Sequence, residues 1–238
     1  MDVAHPLGVV TPTLDGDVLM RLALADTAFT TGQIHRLIPD VSVEGIRKVL
    51  RRLHRQGVVT ATPAGRGVLY ALNRDHLAAP AIIALADQAA TLRRRLSETV
   101  AGWAQPPVYA AVFGSWARGI ATVTSDIDLF LVRAAGPDPD AIWDDQVAAL
   151  EHAVTAWTGN DARTLVLAED ELLDVTADPV LGSILREGLT VHGSPAWFRA
   201  AVLGTSGEPR ESDAHDTSRR GDPRRADGEG AAVRRRST

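Results

Sequence analysis

The stretch that decides the fold runs Gly114-Ser115-Trp116-Ala117-Arg118-Gly119 and then, past a short connection, Ser125-Asp126-Ile127-Asp128-Leu129-Phe130-Leu131-Val132. The apolar run Val108-Tyr109-Ala110-Ala111-Val112-Phe113 in front of it predicts a buried strand. Gly114-Ser115 breaks that strand. Trp116 onward then predicts a short helix whose first N–H groups lack partners and suit a phosphate. A second strand carries Asp126 and Asp128. Side chains alternate along a strand, so the two carboxylates share one face while Ile127, Leu129 and Leu131 turn to the other and into a core. Neighbouring carboxylates repel unless a cation lies between them, and hard oxygen ligands favour Mg²⁺. A phosphate cradle beside a Mg²⁺-holding carboxylate pair is equipment for nucleotidyl transfer. Asp-x-Asp alone is common on surface loops. The plain alternative is a tight turn followed by a strand with a solvated acidic edge, and the full pattern behind an apolar strand argues against it.

The 238-residue chain has room for one large or two small domains, and its 45% hydrophobic content is ordinary for a soluble protein. It has no cysteine, which excludes disulfides and thiolate metal sites and fits a cytoplasmic location. No apolar run is long enough to span a bilayer, and the first residues lack the basic-then-apolar pattern of a signal peptide, so no membrane partner is expected. Lys48 is the only lysine among 25 basic residues. Such a bias toward arginine reflects genome composition and says nothing of activity.

Upstream of the deciding stretch, apolar residues recur at helical spacing over 14–28 (Leu14, Val18, Leu19, Leu22, Leu24). Thr30-Thr31 can cap a second helix, Gln33 to Leu37. Ser42 can cap a third, with Val43, Ile46, Val49, Leu50 and Leu53 inward. Val58–Thr62 and Val68–Leu72 read as strands joined by a turn over 63–67. Three helices and a hairpin look like a winged helix-turn-helix over residues 1–79. In that fold the third helix enters the major groove and the hairpin tip, here Arg66, reaches phosphate or the minor groove. Ser42, Glu44, Arg47 and Lys48 are then base-reading candidates, and Arg51, Arg52 and Arg66 phosphate contacts. The competing reading is a three-helix module with a solvated basic face. Residues 80–104 predict one long helix, a linker or dimerisation element, and a homodimer is expected. From Gly204 to Thr238 large hydrophobics nearly vanish, which predicts a disordered tail.

The deciding stretch resembles the DNA polymerase beta-like nucleotidyltransferase superfamily, above all its minimal nucleotidyltransferase, antitoxin-type branch. The pattern G-S-x-A-R-G, a loop, then S-D-I-D-L is matched at Gly114, Ser115, Ala117, Arg118, Gly119, Ser125, Asp126, Ile127, Asp128 and Leu129. The resemblance covers roughly residues 100 to 195. It implies a mixed sheet flanked by helices over 105–200, and with the N-terminal module an α/β (α+β) chain. It also implies an acceptor's attack on the α-phosphate of ATP or another nucleoside triphosphate, with pyrophosphate leaving. By the same resemblance Asp126 and Asp128 hold Mg²⁺, Gly114 and Ser115 hold the β- and γ-phosphates, and Ser125 lines the nucleotide site. Arg118 either touches phosphate or braces the Asp strand, the second being preferred. The acceptor is expected to be a protein, such as a HEPN-type toxin on another chain. The alternative is a DNA-binding regulator whose nucleotide domain does not turn over.

The superfamily takes a third carboxylate from the strand after the long helix, read here as Trp143–Trp157. Counting from Thr158-Gly159-Asn160 puts Arg163 at that place. Asp161 shares its strand parity and replaces it if the strand begins early. Glu169 and Asp170 lie beyond the strand and suit the start of the next short helix.

Overall fold

Tyr109–Phe113 (β3) sits in the middle of a four-stranded sheet, and that position explains its composition. Tyr109 through Val112 are buried whichever way they point, because both faces of the sheet are covered. The structure, a computed structural model, describes residues 1–136, 141–173 and 178–204. The expected loop at Gly136-Pro137-Asp138-Pro139 falls, beyond Gly136, outside the described residues, as does the expected tail beyond Gly204.

The partners of β3 are Ile127–Arg133 (β4) and Leu189–His192 (β6), both antiparallel; Ala162–Ala168 (β5) runs parallel to β4, giving the order β5-β4-β3-β6. The sheet is therefore mixed. The two strands preceding it in the chain, Val59–Ala64 (β1) and Gly67–Leu72 (β2), form a separate antiparallel pair. Alternation splits the β4 side chains as expected. Ile127, Leu129 and Leu131 enter one core with Leu92, Leu96 and Leu150. Phe130 and Val132 enter another with Tyr109, Ile184 and Phe198. Tyr109 stacks on Phe198 with ring centroids 4.4 Å apart, and its hydroxyl meets Thr190 Oγ1 at 2.9 Å. Each such buried ring stabilises the fold by about 1.5–3 kcal/mol. Asp128 lies on the Phe130 face but one step nearer the strand's start, where that core ends.

The N-terminal part consists of Leu14–Ala23 (α1), Thr31–Leu37 (α2) and Val43–Arg55 (α3), followed by the β1–β2 hairpin. Thr30 and Gln33 form a reciprocal capping box on α2, and Ser42 Oγ accepts from Gly45 N at 3.0 Å to cap α3. The first helix ends at Ala23 rather than 28, since Phe29 instead pairs with Tyr70 in an isolated bridge. The hairpin is longer than expected. Pro63 and Ala64 stay in β1, leaving Gly65-Arg66 as the turn, with Gly65 at φ 57°. A two-stranded ribbon is all edge, so Pro63 costs it no interior hydrogen bond.

The long helix predicted from Pro80 is two helices, Ala79–Ala86 (α4) and Gln88–Ala101 (α5), broken at Asp87. The break has a packing cause. Ala79, Ala86 and Ile82 belong to the core of the N-terminal helices, whereas Leu92, Leu96 and Val100 belong to the core under the sheet. A straight helix would not present both stripes correctly. Ala141–Thr158 (α7) flanks α5 on that same core through Trp143, Leu150 and Val154. On the opposite face lie Pro179–Glu187 (α8) and Pro195–Val202 (α9). No described helix is long and apolar enough to cross a membrane.

Candidate functional site

Asp126 immediately precedes β4 and Asp128 is its second residue, so both carboxylates stand at the strand's entrance. The antiparallel register sets Asp128 across from Phe113, the last residue of β3, and Gly114 follows at once. Gly114 has φ 70°, and a Cβ there would overlap Asp128 Oδ2. The carboxylate thus lies directly on the turn's backbone, and glycine alone permits both the conformation and the approach. Burial raises the pKa of Asp128 above its ordinary value. The neighbouring Asp126 raises it further, and Arg163 and Arg118 oppose both effects. The first two causes penalise the ionised form, and a cation placed between the carboxylates would relieve them.

The parallel register places Arg163 across from Asp128. Its guanidinium Nη1 lies 3.0 Å from Asp126 Oδ2, with the Arg163 side chain 71% exposed and that of Asp126 32%. A cation therefore already contacts the carboxylate pair. Asp161 precedes β5, and its backbone carbonyl accepts from Ile127 N at 2.8 Å. Among the described residues no group of three or more His, Asp or Glu side chains could hold a metal ion, so Asp161 is not assembled with Asp126 and Asp128. The donor set that remains is two carboxylates, enough to share one hard cation with a bound phosphate but short of a self-sufficient cage.

The turn after β3 is a single helical turn, Gly114–Ala117 (α6), so the helix begins two residues earlier than predicted. Ser115 makes no side-chain hydrogen bond among the described residues, and its hydroxyl is available to a ligand. Among the described residues Arg118 makes no ion pair with Asp126 or Asp128, though its charge is felt at Asp128. Its Nη1 donates to Glu187 Oε1 on α8 at 2.8 Å, and Ser183 Oγ donates to the same oxygen at 2.6 Å. Arg118 thus pairs with α8, not with the Asp strand as the structural reading expected. The Ser183 hydrogen bond first, and Arg118 second, hold the Glu187 carboxyl below its usual range. Ser125 is committed to its own turn, where its Oγ accepts from Thr122 N at 3.0 Å.

One residue that sequence reasoning treated only as a helix end proves central. Asn160 is 3% exposed and is the one buried polar side chain among the described residues. Its Nδ2 donates to Thr122 O at 2.9 Å and to Ser125 O at 2.7 Å, tying the end of α7 to the turn that delivers Asp126. Nothing in the sequence marks it, because its amide donates to backbone carbonyls 35 and 38 residues away and its Oδ1 accepts from the Met1 ammonium.

On α3, Arg47, Lys48 and Arg51 are exposed, as is Arg66 at the hairpin tip. Glu44 accepts from Arg51 Nη2 at 3.0 Å and lies 3.6 Å from Arg47, so it tempers two of these charges. Arg52 departs from expectation: it pairs with Asp15 of α1, which is largely buried, and locks α1 to α3. Ser42, engaged as a cap, has its oxygen turned to the helix backbone. A cleft of about 330 Å³ lies between Arg47, Arg51, Thr31, Gly67 and Tyr70.

No protein-family description matches the chain, and no curated protein matches it. Some solved structures do. A toxin–antitoxin complex with AMP-PNP is 16% identical over 48% of this chain and 82% of its own, with a TM-score of 0.35. A mutant of the MntA–HpeT toxin–antitoxin is 13% identical over the same shares, with a TM-score of 0.36.

Proposed function

We propose that this chain binds a nucleoside triphosphate with Mg²⁺ and transfers nucleoside monophosphate slowly to an acceptor, and that its N-terminal part is a winged helix that binds DNA. One observation carries the first half. The Asp126/Asp128 pair abuts a glycine turn with an available Ser115 hydroxyl, while Arg163 takes the place of a third acid and already pairs with Asp126. Asp126 and Asp128 would hold the Mg²⁺, which when bound supplies charge neutralisation at the triphosphate and a lowered acceptor pKa. Ser115 would donate to a terminal phosphate oxygen, and the bare backbone of Gly114 would let that phosphate approach. The acceptor oxygen would attack the α-phosphorus, its proton leaving to water or a carboxylate. The bond from the α-phosphorus to the bridging oxygen would break, and pyrophosphate would depart with the electron pair. Arg163 stands against rapid turnover, since arginine keeps its charge and repels a second cation. The resemblance of Gly114–Leu129 to minimal nucleotidyltransferases makes a protein the preferred acceptor.

The basic face of α3, the hairpin and the cleft between them support DNA binding by Arg47, Lys48, Arg51 and Arg66; a homodimer in the cytoplasm belongs to the same proposal. A second reading draws on the same Arg163–Asp126 pair: a DNA-binding regulator that senses nucleotide without turnover. Labelled α-phosphate transfer from ATP to candidate proteins separates the two. Transfer that rises in Arg163→Asp marks an impaired enzyme. Nucleotide binding with no transfer in either protein marks the sensor. Absence of a Mg·ATP thermal shift in the wild type, or an equal shift in the Asp126→Asn/Asp128→Asn double variant, refutes both.

A further inference from the structure

A cavity of about 1120 Å³ lies away from the carboxylates. One wall comes from the segment before α1, with Val9 and Val10; another from α5, with Gln88, Thr91 and Arg95; a third from Val123 and Trp157, the latter near the end of α7. Val9, Val10 and Val123 are 74%, 63% and 67% exposed, yet all three line this one space. Apolar side chains left to water and converging on a concavity are the usual mark of a small-molecule site.

The polar groups define what kind of molecule fits. Gln88, Thr91 and Arg95 stand at i, i+3 and i+7 on α5 and so form one stripe facing the cavity. Gln88 Nε2 is spent on Pro6 O at 3.3 Å. The Thr91 hydroxyl makes no hydrogen bond among the described residues. Arg95 has no carboxylate partner among them either, and its guanidinium lies 5.6 Å above the Trp157 ring. Two carboxylates also reach the space, Asp2 and Asp17, but both are turned to His5, at 3.5 and 3.8 Å. A stacked guanidinium with a vacant fork, beside a hydroxyl and a row of valines, is a receptor for an anionic group on an apolar body.

We propose that this cavity binds a small organic anion with a flat apolar body, its acid group on Arg95 and Thr91 and its body along Val9, Val10, Val123 and Trp157. The site is well placed to regulate. Val123 belongs to the Thr122–Ser125 turn in front of Asp126, and Trp157 precedes Asn160, which fastens that turn. On the opposite side Leu14 and Asp17 belong to α1, which Arg52 locks to the basic helix.

The test uses the full chain and two fluorescent dyes of the same shape, anilinonaphthalene sulfonate and the neutral phenylnaphthylamine. The sulfonate dye binds one-to-one and outcompetes its neutral analogue. Arg95→Met, which keeps the apolar stem, weakens the sulfonate dye by about tenfold and leaves the neutral dye unchanged. Val10→Asp weakens both dyes, whereas Val180→Asp, an exposed valine on α8, weakens neither. Equal loss of both dyes in Arg95→Met overturns the anion assignment. Binding indifferent to both Arg95→Met and Val10→Asp overturns the site. Failure of either dye to bind the wild type also overturns the proposal and leaves the exposed valines to a protein partner.

Discussion

Replacing Arg163 by glutamine tests the central claim about this site, that a protein cation competes with a metal for Asp126. The guanidinium lies 3.0 Å from Asp126 Oδ2, but most of the arginine side chain faces water. Exposed pairs of this kind contribute about 0.2–1 kcal/mol. A Mg²⁺ that must displace the pair is weakened by that amount, so Arg163→Gln should tighten Mg²⁺ by about 1.4- to 5-fold. Arg163→Asp goes further, because a carboxylate at roughly 4 Å from a divalent ion adds about 2 kcal/mol even at the dielectric of water. The order of Mg²⁺ affinity should therefore be wild type, then Arg163→Gln, then Arg163→Asp, with the steps shrinking as salt is raised. The assay is the Mg²⁺ concentration at which ATP half-maximally raises the melting temperature, checked by calorimetric titration. Folding should barely respond, since a loss of 1 kcal/mol lowers the melting temperature of a chain this size by only about 2–4 °C. Coincident Mg²⁺ midpoints in the three proteins would refute the argument and show that Arg163 leaves Asp126 free to bind.

Gly114→Ala should lower stability by about 1–3 kcal/mol in chemical denaturation and abolish the Mg·ATP thermal shift, because the new Cβ meets both a disfavoured φ and Asp128 Oδ2. In gel shifts on upstream DNA, Arg47→Ala, Lys48→Ala, Arg51→Ala and Arg66→Ala should each reduce the salt slope of binding by about one. Arg52→Ala should leave that slope intact and cost about 1 kcal/mol of stability instead, since it frees Asp15 of α1. For Glu187 the folded carboxyl titrates below its ordinary 4.5, so the stabilisation it gives is present above that pH and is lost as pH falls through the lowered value. The melting temperature of Glu187→Gln should thus fall below wild type at pH 7, with the gap closing as the pH is lowered into the acid range; a gap that stays constant on acidification would contradict the brace between Arg118 and α8.

The sequence by itself determined much of what local periodicity, caps and breaks encode, though not where the first helix ends or that the helix after Pro80 is split. The alternation through Ile127–Val132 placed the Asp pair on one face and its apolar partners in a core. The caps at Thr30 and Ser42 set the starts of α2 and α3, and the glycine after Phe113 ended β3. Each of these depends on neighbours within a few residues, so the chain carries the information in a form that can be read in order. Tertiary structure decided what depends on long-range register and packing. Pairing of β4 with β5 sets Arg163 across from Asp128 and brings its guanidinium to Asp126, so the basic side chain at the third position became a contact only once two strands 30-odd residues apart were aligned. Two separate cores broke the predicted long helix at Asp87. Arg118 found Glu187, Arg52 found Asp15, and Asn160 found the turn before Asp126, none of them at a spacing that any periodicity encodes. The physical reason is common to all: side-chain hydrogen bonds and ion pairs are chosen by whichever groups the packed backbone brings within about 3 Å, and that choice is made only when the elements meet.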